Sequence, residues 1–159
     1  MLIDIFAKYK IKVTFFVVGA WVDKYPESVK ALSDAGHEVM NHSDDHAHFN
    51  SLSTQQIISN INACNDKIEA ITGVRPTLFR PPYGEYDDHV ISAVRSMGME
   101  PIQWDVEASH AASSRWGARG LVEPFTQRLI RWEKRPDRLY ERPGRFSCSS
   151  IICFCIVGC

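Results

Sequence analysis

The spacing of hydrophobic positions alternates between two patterns over the first 104 residues. The run "VTFFVVG" at 13–19 is β-branched and aromatic without alternation, which is typical of a strand buried on both faces. Short apolar runs predict further strands at 37–41, 77–82 and 100–104. The opening stretch is amphipathic, and apolar residues at helical spacing predict helices that begin near Pro26, Ser53 and residue 87.

This order, a helix followed by alternating strands and helices, predicts an α/β fold with four parallel strands. Helical crossovers of this kind build a parallel sheet, either open or closed into a barrel. The polar clusters all follow strands, at His42–His46, Arg80–Gly84 and Asp105–His110. Because the loops after parallel strands gather on one face, we expect these clusters to meet there and form the functional site.

Charge and hydropathy exclude several classes of partner. The chain has 18 basic and 19 acidic side chains, so the sequence predicts no nucleic-acid partner. No apolar run reaches the roughly 18 residues that a membrane-spanning helix needs, so no transmembrane segment is predicted. The opening residues lack a basic region followed by a long apolar one, and they therefore do not predict a signal peptide. Oligomeric state is not fixed by the sequence.

Composition changes abruptly near residue 110. Residues 1–110 contain 3 Arg and 6 Lys, whereas residues 111–159 contain 8 Arg, 1 Lys and four of the five cysteines. The strand and helix alternation is lost there, although 121–132 has a short helical pattern. We therefore predict one domain over 1–110 and an irregular, atypical tail over 111–159. Our hypothesis is that this tail is a non-native continuation, such as a shifted reading frame would produce.

Two motifs suggest chemistry. His42 and His46 stand four residues apart just after a strand, and imidazole is the commonest protein ligand for a transition metal. Asp44 and Asp45 lie between them, but a five-residue loop rarely turns three side chains onto one ion, so we expect both acids to be solvated. In "RPPYG" at 80–84, the two prolines rigidify a loop. Arg80 offers a planar guanidinium with several donors, and Gly84 allows the backbone to approach a ligand closely.

Taken jointly, "KVTFFVVG", "GHEVMNHSDDH", "LFRPPYGEYD" and "PIQWDVE" resemble the polysaccharide deacetylase family, which is carbohydrate esterase family 4 or the NodB homology domain. The resemblance covers roughly residues 1–107. It implies a distorted (β/α) barrel, here incomplete. It also implies hydrolysis of N-acetyl or O-acetyl groups on an acetylated polysaccharide partner (chitin-like, peptidoglycan or xylan), with a divalent metal, usually zinc, as cofactor. Family members act at the cell envelope or outside the cell, so the same location is implied here.

The resemblance also implies roles for individual residues. His42 and His46 match the metal-binding histidines, Arg80 matches the arginine that holds the catalytic carboxylate, and Tyr83 matches the residue whose backbone N–H binds the oxyanion. The candidate substrate-binding residues are Pro82, Trp104 and Asp105. His48 is expected at the rim of the site. Trp21 and Trp104 could contact sugar faces, although packing at strand ends is the alternative role for each.

The chain departs from the family pattern at three motifs. The Thr-Phe-Asp-Asp-Gly type motif, which supplies the general base and the third metal ligand, occurs nowhere in the sequence, so the chain is read as beginning after that strand. The fourth motif, usually Asp-x-x-Asp-Trp, reads Glu107–Ala111 here, and no histidine follows His110 to supply the general acid. Because each positioned acid or base contributes about 10² to 10⁴ in rate, we predict a poor or inactive deacetylase.

Two other interpretations stay open from the sequence. One is a noncatalytic carbohydrate-binding or metal-binding relative that keeps the cleft without hydrolysis. The other is an unrelated α/β protein in which the His42 and His46 spacing arose by chance.

Overall fold

The structure, a computed structural model, describes residues 2–103 and the strand Cys153–Ile156, all within one compact unit. Its helices are α1 (Leu2–Lys8), α2 (Gly19–Lys24), α3 (Pro26–Asp34), α4 (Thr54–Thr72) and α5 (Asp88–Ser96). Its strands are β1 (Thr14–Val17), β2 (Glu38–Asn41), β3 (Leu78–Phe79), β4 (Glu100–Pro101) and β5 (Cys153–Ile156). Short 3-10 turns occur at Phe49–Ser51 and Pro82–Gly84. No helix of this described part is both long and apolar enough to cross a bilayer.

The strands form a parallel sheet in the order β4, β3, β2, β1, β5. The four strands predicted from the sequence are all present, and the predicted mixed α/β fold is confirmed. The ladders are short, because β3 and β4 have two residues each. Helical crossovers α3, α4 and α5 connect the strands, so the carboxyl ends of β1, β2 and β3 lie on one edge of the sheet.

Two features differ from the sequence prediction. Helix α2 was not predicted: the strand stops before Gly19, as expected, but Gly19 then begins a helix, and its backbone N–H donates to the Ser43 carbonyl at 2.9 Å. The tail was expected to be irregular, yet β5 pairs in parallel with β1, with Thr14 opposite Cys153. The predicted boundary near residue 110 and the helical pattern at 121–132 lie outside the described residues.

The core consists of two buried clusters that share helix α4. Strand β1 is buried at all four positions, in agreement with its unalternating pattern. One cluster joins β1 and β2 to α1, α2 and α3, and the other joins β3 to α5. The α4 residues buried between them are Ile57, Ile61, Cys64 and Ile68. The predicted capping box at Ser53 and Gln56 is present at the start of α4. Trp21 is half-buried and packs against the first cluster, so its observed contact is the packing named above as the alternative to sugar binding.

Candidate metal and substrate site

The loop that follows β2 is fixed by backbone contacts from two neighbouring elements. The N–H groups of Gly19 and Ala20, at the start of α2, donate to the Ser43 and Asp44 carbonyls, both at 2.9 Å. The His42 N–H donates to the Val17 carbonyl at 3.0 Å, at the end of β1. The position of this loop is therefore set by the sheet edge and the first turn of α2.

Asn41 organises the interior beneath this loop. Its side chain is fully buried, and its Nδ2 donates to the Ile61 carbonyl at 2.9 Å and to Asn65 Oδ1 at 2.8 Å. Its Oδ1 accepts from the Ser43 N–H at 2.7 Å. A buried amide is stable only when its donors and acceptor are satisfied, and here they connect the loop to helix α4. Asn41 was not predicted as a site residue, although a polar residue that closes an apolar strand is a signal for such a role.

His42 is buried, with 2% of its surface exposed, and its Nδ1 lies 2.7 Å from the Arg80 carbonyl oxygen. A carbonyl oxygen only accepts, so Nδ1 carries the proton and Nε2 keeps its lone pair. Burial lowers the pKa of His42 to about 4, with further lowering by the nearby His46 and the Arg80 guanidinium, against the opposing hydrogen bond to Arg80. The ring is therefore neutral at neutral pH, as a metal ligand must be.

His46 reaches the same place through a left-handed backbone turn. Its φ is 59°, and its N–H donates to Ser43 Oγ at 2.9 Å. The His46 ring centroid lies 5.1 Å from that of His42 and 4.6 Å from that of Tyr83. Its pKa is lowered, first by burial and then by the neighbouring His48. The two histidines that the sequence singled out thus face each other beside the loop that follows β3.

Arg80 and Tyr83 lie on that second loop. The Arg80 side chain is buried, lies over the Phe16 ring at 4.2 Å from its centroid, and donates from Nε to the Ile102 carbonyl at 3.4 Å. Tyr83 is half exposed and has a left-handed backbone, with φ 55°. The turn is closed by N–H groups of Gly84 and Glu85, which donate to the carbonyls of Pro81 and Pro82 at 3.4 Å and 3.1 Å.

The two acids between the histidines face other partners. Asp44 Oδ1 is 2.7 Å from Lys67 Nζ, and Asp45 Oδ1 accepts from Asn60 Nδ2 at 2.7 Å. Asp44 is thus a half-buried ion-pair partner, which the expectation of solvated acids did not include. Among residues 2–103 no group of three histidine, cysteine or acidic side chains is arranged to hold a metal ion.

A divalent metal fits this donor set in part. The carbonyl-bound Nδ1 of His42 is the arrangement that orients a histidine ligand, and the adjacent His46 ring offers a second nitrogen. An open catalytic zinc site uses three protein ligands, so the described residues provide two of them.

The remaining sequence candidates divide into two groups. Pro82 is buried in the turn between Arg80 and Tyr83. Trp104 and Asp105 lie outside the described residues, as do the fourth-motif positions at 107–111. His48 stands at the rim, where its ring stacks on Tyr83 at 4.1 Å between centroids.

Comparison with known proteins agrees with this geometry. Residues 1–102 match the family model described as polysaccharide deacetylase. Peptidoglycan-N-acetylmuramic acid deacetylase PdaC of Bacillus subtilis is 42% identical over 106 residues, which is 67% of this chain and 22% of that protein. Chitin deacetylase 1 of Cryptococcus neoformans is 36% identical over 104 residues, again 22% of its length. The chain thus spans about a fifth of these relatives.

Solved structures show the same relationship. The PdaC structure superposes with a TM-score of 0.66 at 37% identity, covering 78% of this chain and 59% of that one. A CE4 family pseudoenzyme from Bacillus anthracis superposes with a TM-score of 0.71 at 28% identity, covering 97% of this chain and 48% of that one. The described strands and helices therefore correspond to a part of the distorted barrel of this family. The chain belongs to the polysaccharide deacetylase family, carbohydrate esterase family 4.

Proposed function

We propose that the chain is part of a metal-dependent polysaccharide deacetylase that hydrolyses N-acetyl or O-acetyl groups. The observation that carries this proposal is the meeting of the His42 and His46 rings with the Arg80–Tyr83 turn at the carboxyl edge of the sheet. In a chain of this family, that meeting supports a metal site in which two imidazole nitrogens lie beside the turn proposed for oxyanion binding.

Each residue has a distinct proposed role. His42 and His46 hold a divalent metal, and their nitrogen ligands suit zinc. A divalent metal held by these residues would supply Lewis-acid chemistry, which polarises an acyl carbonyl and activates water for attack. The backbone N–H of Tyr83 stabilises negative charge that develops on the carbonyl oxygen, and the buried guanidinium of Arg80 supports a catalytic carboxylate.

We further propose that the 159 residues alone hydrolyse acetyl groups poorly. The two histidines provide two of the three ligands that an open zinc site needs, and the Asp44 carboxylate forms an ion pair with Lys67. The sequence also contains no Thr-Phe-Asp-Asp-Gly type motif for the general base. Loss of a positioned base lowers rate by about 10² to 10⁴.

The proposed substrate is an acetylated polysaccharide of the chitin-like, peptidoglycan or xylan class. PdaC and the peptidoglycan deacetylase PgdA of Listeria monocytogenes are named for peptidoglycan, and the Cryptococcus relative is named for chitin. Pro82, Trp104 and Asp105 are the proposed substrate contacts. Action at the cell envelope or outside the cell follows from such substrates.

The test combines zinc binding with acetate release. We expect this chain to bind one zinc ion by calorimetry, and His46→Gln to weaken that binding at least about tenfold. His89→Gln, on α5, is the matched control and should leave zinc affinity unchanged. Acetate release from acetylated chitin oligomers and peptidoglycan should be slow, and faster in a form extended upstream to include a paired-aspartate strand. No zinc binding, or zinc binding indifferent to His46→Gln, would refute the proposal.

A second candidate is a noncatalytic relative that binds the polysaccharide or metal without hydrolysis. The two-histidine donor set and the similarity to a CE4 family pseudoenzyme favour it. It predicts oligosaccharide binding without acetate release, even in the upstream-extended form.

A further inference from the structure

We propose that Glu85 and His48 are positioning residues, which hold the Tyr83 backbone in place for oxyanion binding. This inference rests on the function proposed above and deepens it. We call the contact between Glu85 and residues 48–50 the rim latch.

The rim latch joins the two loops of the site through side chains. The Glu85 carboxylate accepts from His48 Nδ1 at 2.8 Å and from the Asn50 N–H at 3.4 Å. In the opposite direction, Asn50 Oδ1 accepts from the Asp87 N–H at 3.4 Å. The loop that carries the histidines and the turn that carries Tyr83 therefore bind each other reciprocally.

The latch sets the plane of the His48 ring against Tyr83. The two rings are 4.1 Å apart between centroids and 11° from parallel, and the His46 ring contacts Tyr83 from another side at 4.6 Å. Tyr83 is thus held between a metal-site histidine and a histidine oriented by Glu85. Rotation of the Tyr83 side chain, which would accompany a change in its backbone, is opposed by both contacts.

Tyr83 needs such support because of its backbone conformation. A non-glycine residue with φ 55° is in the left-handed region, which side chains disfavour. Strained residues persist when the surroundings determine their conformation. Pro82 precedes Tyr83, and Gly84 follows it with φ 71°, so both neighbours in the sequence restrict the backbone of the turn. The rim latch adds a side-chain contact from the facing loop.

The exposure of the latch argues that its effect is local. The side chains of His48 and Glu85 are 62% and 24% exposed, and exposed ion pairs contribute little to global stability. A contact of this kind can still decide between two conformations of a short turn. The hydrogen bond from His48 also lowers the pKa of Glu85, so the contact favours the charged form of the acceptor.

The test uses NMR of this chain, so it does not depend on catalysis. Glu85→Ala should weaken the strong intraresidue HN–Hα NOE that its positive φ gives Tyr83, and should remove the cross-peaks between the rings of Tyr83 and His48. Glu85→Gln keeps an acceptor and should restore both signals. Glu100→Ala, which removes an exposed acceptor from Arg95 on α5, is the matched control and should leave Tyr83 unchanged. Unchanged Tyr83 signals in Glu85→Ala would overturn the proposal, as would a loss of signals accompanied by general unfolding.

A kinetic measurement separates the two proposals. On residual acetate release, Glu85→Ala should lower kcat about tenfold with KM within about twofold, because only transition-state contacts are misplaced. An equal fall in Glu100→Ala would contradict the positioning role. If no form releases acetate, the enzymatic proposal fails, and the Tyr83 signals alone decide whether the latch positions the turn.

Discussion

The ring of His42 and the main chain of Arg80 are joined by a hydrogen bond of 2.7 Å. The same two strand ends are joined again by the Arg80 N–H, which donates to the Asn41 carbonyl at 2.9 Å. The histidine that is proposed to bind metal is therefore oriented by the backbone of the neighbouring loop. Because the acceptor is a carbonyl, substitution of the Arg80 side chain removes the guanidinium without removing this contact.

The first prediction concerns the buried amide of Asn41. Asn41→Leu keeps the branched shape of the side chain but leaves the Ser43 N–H and the Ile61 carbonyl without this partner, which should lower the free energy of unfolding by about 3 kcal/mol. Urea unfolding measures this change. Asn62→Ala removes an amide that accepts from the exposed Arg75, and it should cost about 0.5 kcal/mol or less. Equal costs for the two variants would contradict the role of Asn41 beneath the loop.

The second prediction is a dependence of stability on pH through His42. Its pKa is lowered from 6.5 to about 4 in the folded state, so the unfolded chain takes up the proton first as pH falls. The contribution is complete above the unfolded pKa, and roughly 3 kcal/mol is lost as pH falls from 6.5 to about 4. His46 and His37 also have lowered pKa values and act in the same direction.

Comparison with His42→Gln isolates the share of His42. Urea unfolding with a chelator present should show a shallower decline with acid in the variant than in the wild-type chain. Parallel declines in the two proteins would show that His42 titrates normally.

The third prediction concerns the packing of Gly19 against Asp44. A Cβ at Gly19 would lie 1.9 Å from Asp44 Oδ1 and 3.0 Å from Asp44 Cα, so Gly19→Ala must displace the carboxylate that pairs with Lys67. We expect a loss of about 1 to 3 kcal/mol in unfolding free energy. Combined with Asp44→Ala, the loss should be smaller than the sum by about 1 kcal/mol, since the neighbours couple. Ala20→Ser, at the next exposed position, is the control, and additive losses would exclude the contact.

The fourth prediction is that Cys64 is unreactive in the folded chain. Burial, chiefly, raises the pKa of its thiol from 9.0 to about 12, so its thiolate fraction is lower by about a thousandfold. Peptide mapping after iodoacetamide treatment should find Cys64 unmodified in the folded chain and modified in urea. Rapid native alkylation of this peptide would contradict the burial of α4 against β1.

The sequence predicted those elements whose signals are local. The capping box at Ser53 and Gln56 and the apolar series from Ile57 to Ile68 lie within one helix, and the structure shows both. Helix α2 was missed because a glycine after an apolar run marks the end of a strand without showing whether a loop or a helix follows. A glycine is needed at position 19 because Asp44, which is distant in the sequence, packs against it and leaves no room for a Cβ.

Strand β5 was missed for a related reason. The tail was interpreted from its arginine and cysteine content, while the short apolar run in "IICFCIVG" carried the strand signal. At the site, the spacing of His42 and His46 pointed to a shared location, and the structure brings them together with Tyr83. Contacts such as Glu85 with His48 join loops that only the folded sheet brings near, and no spacing rule reports them.

Among the described residues, four side-chain-bearing positions adopt left-handed backbone: Lys10, Ser43, His46 and Tyr83. Three of them belong to the two loops of the candidate site. Selection for thermal stability alone would favour glycine or asparagine there, because these residues adopt that conformation most easily. Laboratory evolution toward heat resistance should therefore enrich glycine at 43, 46 and 83, and the variants so obtained would lose the side chains through which the two loops meet.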